Sequence, residues 1–111
     1  MRRINEKDVP FKNVDSGTKY LVKGPKWEGG LVVFKPGQKL GAHWHKEVEE
    51  TFYFLEGEGK IFINGAEYPA QPGGVYQLEP GEKHDILNNG KENLKAIFIK
   101  CPYLPEDKVM E

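Results

Sequence analysis

The chain has 111 residues, 38% hydrophobic and 30% charged, the size and balance of one globular domain with a single core. Sixteen Lys and Arg against seventeen Asp and Glu leave a formal net charge of −1, so there is no electrostatic case for nucleic acid or an anionic membrane as partner. No apolar run approaches the roughly 20 residues of a membrane-spanning helix, and the opening MRRINEKDVPF lacks the apolar centre of a signal peptide. The single cysteine, Cys101, excludes an intrachain disulfide and makes a reducing cytoplasm the expected location.

Thirteen glycines and eight prolines interrupt the chain too often for long helices. Residues 1–16 read as an extended arm packed on the domain edge. Residues 17–23, GTKYLVK, form a first candidate strand, ended by Gly24-Pro25. Gly29-Gly30 marks a turn, and LVVFK (31–35) is a short buried strand rich in β-branched residues, closed by Pro36-Gly37. Strands follow at 40–45 and 50–56, joined by the charged link KEVE, and then at 60–64. Asn64-Gly65 predicts a type I′ hairpin, because both residues accept positive φ. Residues 66–68 return from it, and Pro69, Pro72 and Gly73-Gly74 break the chain. Strands are expected again at 75–78, 84–87 and 94–101, and residues 102–111 form a proline-broken, charged tail. Eight to ten short strands at this spacing predict an all-β sandwich or barrel over residues 17–101.

The chemistry is concentrated in few residues. His43 and His45 sit at i and i+2, a spacing that puts both imidazoles on one face of a strand and turns Trp44 to the other. Glu50 opens the next strand, where a hairpin-like return brings it beside the pair. By the same parity Phe52 and Phe54 share its face, whereas Glu49 points away. His84 arrives from a separate strand, with Asp85 facing the opposite way. Three neutral imidazoles and a carboxylate suit Mn, Fe, Co, Ni, Cu or Zn better than Mg or Ca. On an octahedral ion such a set leaves two positions for water, substrate or dioxygen. The remaining positive charge favours an anionic or chelating oxygen ligand. Lys95 and Lys100 lie on the last long strand, where one of them can contact an anion at the barrel mouth. Tyr20, Tyr53, Tyr68 and Tyr76 are candidate hydrogen-bond donors to a pocket.

The pattern Gly37-x5-His43-x-His45-x4-Glu50-x6-Gly57 resembles the first motif of the cupin superfamily in full. Gly74-x5-Pro80-Gly81-x2-His84-x3-Asn88 resembles the second, except that Pro80 and Gly81 are adjacent where the family has a residue between them. The resemblance implies a double-stranded β-helix, or jelly-roll barrel, with a metal near one mouth held by His43, His45, Glu50 and His84. It gives Asn88 a structural part, packs the tail along the barrel or a partner, and implies a homodimer.

Two classes of function stay open at this level. One is a metal-dependent enzyme, an isomerase or dioxygenase acting on a small oxygen-rich substrate such as a sugar, keto acid or diketone. Its general base would be Glu50, if loosely bound, or a tyrosine or lysine at the mouth. The other is a non-catalytic module that binds or senses a small ligand through the metal. A third use of the metal, for stability alone, needs no substrate.

Overall fold

A computed structural model describes residues 1–110; Glu111, the last residue of the expected tail, lies outside the described residues. The elements are ten strands and one 3-10 turn, at Glu6–Asp8. The strands are β1 (Gly17–Lys23), β2 (Glu28–Phe34), β3 (His43–His45), β4 (Glu49–Glu56), β5 (Gly59–Ile63), β6 (Ala66–Ala70), β7 (Val75–Leu78), β8 (His84–Leu87), β9 (Leu94–Cys101) and β10 (Lys108–Met110). They form two five-stranded sheets, β1-β2-β9-β4-β7 and β10-β3-β8-β5-β6, with every named pairing antiparallel. Two sheets packed face to face make the jelly-roll, double-stranded β-helix architecture. Alternation along the strands fills the space between them with Phe34, Phe52, Phe54, Ile61, Ile86, Leu94 and Phe98, all buried.

Register explains how one end of this interior becomes polar. Partners directly across an antiparallel sheet share a face. In the first sheet Lys23, Glu28, Lys100, Glu50 and Leu78 fall in one row, and Glu28, Lys100 and Glu50 face inward. The parallel row Tyr20, Gly30, Phe98, Phe52 and Tyr76 lies next to it and is mostly aromatic. Two residues along a strand therefore separate a charged mouth from an apolar floor.

Three local features differ from the sequence reading. Gly29 and Gly30 stand inside β2 rather than in a turn. A Cβ on Gly30 would lie 1.8 Å from the Lys19 carbonyl oxygen, and one on Gly29 would lie 2.3 Å from that of Phe98. The glycines permit close backbone approach where β1 shifts register between Tyr20 and Val22. Pro69 continues β6 instead of breaking it, because β6 is an edge strand and a missing N–H is harmless on its open side. Within the tail, residues 108–110 add β10 alongside β3, so this segment completes a sheet. The Asn64-Gly65 turn has φ of 49° and 84°, both positive as a type I′ turn requires. The arm folds back on β1: the Lys12 N–H donates to the Thr18 carbonyl, and the buried Lys19 ammonium donates to the Glu6 carbonyl.

Candidate metal centre

His43 and His45 are both buried, with Trp44 half-exposed on the other face of β3. His84 opens β8 directly opposite His43, and their ring centroids are 4.4 Å apart. Glu50 comes from the facing sheet. The hairpin-like return expected from the sequence does not form; residues 46–48 instead carry the chain from one sheet to the other. Buried Val48 and the Asp107 carboxylate, which accepts the N–H groups of Glu47 and Val48 at 2.8 and 2.9 Å, shape this crossing. Glu50 thus meets the histidines across the barrel interior, while Glu49 is exposed and accepts from the Gln77 amide.

Glu50 Oε1 lies 3.0 Å from His45 Nε2, 3.1 Å from His84 Nε2 and 4.0 Å from His43 Nε2. One ligand atom from each of the four buried side chains lies within 4.8 Å of the others. Behind them, Nδ1 of His43 donates to the Gly41 carbonyl at 2.8 Å, and Nδ1 of His84 to the Glu82 carbonyl at 2.9 Å. A carbonyl only accepts, so in the neutral rings the proton sits on Nδ1 and the Nε2 lone pair points inward. For His84 the hydrogen bond from Nε2 to Glu50 at 3.1 Å therefore needs a second proton on the ring, and a cation between the two would take that proton's place. Lone pairs and a carboxylate converging on one buried point suit a cation better than they suit one another. The cluster could hold a metal ion, and its donors fit a divalent transition metal.

Burial tends to raise the Glu50 pKa, but hydrogen bonds from His45 and His84 outweigh it and hold the carboxyl at about 2. Burial lowers His43 to about 4. Both groups therefore present metal-binding forms at neutral pH. A carboxylate held that low is a weak proton acceptor, which suits Glu50 to ligation more than to base catalysis.

The supporting residues were the harder part to read from sequence. Asp85 faces away from the cluster as parity requires, yet its carboxylate accepts the Gly41 N–H at 2.8 Å and so braces the carbonyl that orients His43. A side chain on the wrong face supports the site through backbone, a route that parity does not reveal. Asn88 lies apart from the cluster: its amide donates to the carbonyls of Phe34, at the end of β2, and Glu92, and its oxygen accepts from Gly90 N–H. Lys100 donates to the Tyr20 hydroxyl at 2.9 Å and pairs with buried Glu28 at 3.1 Å. Burial lowers the Lys100 pKa, but Tyr20, the Glu50 charge and the Glu28 contact more than offset it and the net shift is upward. Lys95 instead pairs with Glu6 at 3.9 Å. Of the candidate tyrosines, Tyr20 lines the cavity, Tyr53 and Tyr68 are exposed, and Tyr76 donates to the Pro69 carbonyl.

A cavity of about 810 Å³ opens beside the cluster, floored by Phe52 and Phe98 and reaching His43 and Glu50. A smaller space of about 240 Å³ reaches His45 from the other side of Tyr20, Lys100 and Lys108. A volume near 800 Å³ lies within the range of small-molecule sites.

A jelly-roll barrel with a buried three-histidine, one-glutamate cluster beside an internal cavity defines a barrel whose residues could hold a metal ion. The family described as the Cupin domain matches residues 30–100, and the chain belongs to it. An oxalate-binding protein of Thermotoga maritima is 36% identical over 64 residues, 58% of this chain and 53% of that protein. The chain thus spans about half the length of that relative. A conserved Klebsiella pneumoniae protein with a double-stranded β-helix domain superposes with a TM-score of 0.84 at 17% identity, covering 98% of this chain and 96% of that one. A candidate sugar phosphate isomerase of Acidithiobacillus ferrooxidans gives a TM-score of 0.66 at 28% identity over 69% of this chain and 51% of that one.

Proposed function

We propose that His43, His45, Glu50 and His84 ligate one divalent transition metal, drawn from Mn, Fe, Co, Ni, Cu and Zn, and that the adjoining cavity binds a small oxygen-rich molecule at it. The observation that carries this reading is the buried convergence of the four donors beside a cavity large enough for a small substrate. We read the protein as an enzyme of the isomerase or dioxygenase kind, acting on a sugar-, keto-acid- or diketone-like substrate. When bound, the metal supplies Lewis-acid polarisation of a substrate oxygen or, as iron, reactivity with dioxygen. The Gly41 and Glu82 carbonyls hold the imidazoles in orientation, and Phe52 and Phe98 keep the floor dry. Tyr20, fixed by Lys100, is placed to exchange a proton with a bound molecule, a role to which Glu50, with its low pKa, is less suited. Purification without added metal, elemental analysis, and turnover assays with and without dioxygen test this reading. A protein that takes up none of these metals overturns it.

A non-catalytic binding or sensing module is the second reading, favoured by the name of the Thermotoga relative. Ligand-induced thermal stabilisation without turnover would select it. We also infer a homodimer, because Tyr53, Val75 and Ile99 expose apolar surface on the outer face of the first sheet. A monomer in gel filtration at micromolar concentration would refute it. A cytoplasmic location fits the lone, exposed Cys101 thiol.

A further inference from the structure

The chain as a whole carries a net charge of −1, but its large cavity does not share that balance. Five lysines line it, Lys12, Lys23, Lys39, Lys100 and Lys108, and among the described residues the only acidic side chain in the lining is Glu50. Glu50 is committed to the histidine cluster, and Lys100 is matched by Glu28. Lys12 and Lys108 have no ion-pair partner among the described residues. Lys108 sits opposite His45 in the β10–β3 register, at the edge of the metal cluster. Burial first, and then the charges of Lys100 and Lys12, lower its pKa, with Glu50 acting the other way. Ammonium groups gathered at one cavity repel one another unless something negative sits between them. Among the described residues Glu50 is the one acidic side chain in the lining, it is committed to the histidines, and a metal there would add more positive charge on the same side.

Lys23 and Lys39 also lack an ion pair among the described residues, but Lys12 and Lys108 are the two whose charges act on each other, and both come from outside the matched segment. Lys12 is on the N-terminal arm and Lys108 on β10, and neither falls within residues 30–100, where the family match lies. The segments flanking the match thus contribute charge to the cavity.

We propose that the cavity takes a small dianionic acid, with a chelating oxygen end at the metal cluster and a second acidic group between Lys12 and Lys108. The proposal rests on the metal reading above and adds the charge class of the ligand and the residues that select it. A volume of about 810 Å³ accommodates far more than a two-carbon diacid, so the two acidic groups are separated by a carbon chain or sugar ring. Phe52 and Phe98 on the floor face the apolar part of that spacer.

The test compares 2-oxoglutarate with 2-oxovalerate, which share a chelating 2-oxo acid end and a five-carbon chain but differ in the distal carboxylate. Calorimetric titration into metal-loaded protein at low salt should show 2-oxoglutarate binding at least about tenfold more tightly, the scale of one charge-assisted contact. Lys12→Met and Lys108→Met should each erase most of that preference while leaving 2-oxovalerate binding and metal content unchanged. Lys91→Met, exposed and outside both cavities, should keep it. Metal-loaded protein that binds the two acids equally, binds neither, or keeps its preference in both lysine variants overturns the proposal and leaves the metal reading standing. Protein that fails to load metal, measured on the same samples, overturns both.

Discussion

At the scale of single residues, the cluster is a set of groups whose protonation has been decided by neighbours. His43 stays neutral because burial holds it at about 4, below its ordinary 6.5, and Glu50 stays ionised because two imidazoles hold it at about 2, below 4.5. In both cases the unfolded chain binds protons more readily than the folded one. His43 therefore contributes stability that is fully present above pH 6.5 and lost as pH falls toward 4; Glu50 contributes stability present above 4.5 and lost toward 2. Metal-free protein should show a midpoint of thermal unfolding that falls steadily as pH is lowered from about 6.5, and saturating metal should delay that fall. Glu50→Gln keeps the shape and removes the charge. We expect it to weaken metal binding by at least about 100-fold, the upper end of what residues merely supporting ligands cause, measured by competition with a chromophoric chelator.

At the scale of elements, the four donors depend on how strands begin and cross. Asp107 holds the N–H groups of Glu47 and Val48 where the chain passes between sheets, and so sets where Glu50 starts. Asp107→Ala leaves the buried Val48 N–H unpaired. It should cost about 2 kcal/mol in urea unfolding and weaken metal binding without touching a ligand. Gly30→Ala drives a methyl group into the Lys19 carbonyl; a loss of about 1–3 kcal/mol is expected, with the same experiment as check. These elements also show what was legible in the sequence. Strand parity placed His43, His45 and Glu50 inward and Glu49 outward, because side-chain direction alternates locally. The sheet that holds Glu50 was not legible, since the choice between a hairpin and a crossing rests on Asp107, some 60 residues away in sequence. Gly29-Gly30 and Pro69 read as breaks for the same reason. Their meaning depends on which strand lies alongside, and no local pattern carries that. The motif spacings carried the family, but Lys12 and Lys108 lie beyond them, and only the folded chain brings the two to one cavity.

At the scale of the whole molecule, the cluster joins the two sheets: three donors from β3 and β8 face one from β4. A ligand that binds only the folded form adds about 4 kcal/mol at a thousandfold excess over its dissociation constant. For a domain of this size that is a rise of at least about 10 °C in unfolding midpoint, readable by calorimetry with and without metal. Removing the metal with a chelator should lower the midpoint by the same amount while leaving the far-ultraviolet dichroism at 25 °C unchanged. That expectation follows from the hydrogen bonds that His45 and His84 make to Glu50, which keep the donors assembled without an ion. It bears on the order of events in the protein's life. On the proposed metal reading, folding would come first and loading second, unlike small domains that fold only around their metal. The identity of the ion would then be settled after the barrel has closed, by which metals are at hand, since a set of three imidazoles and a carboxylate ranks them by the ordinary affinity series and the finished cavity has little left to adjust.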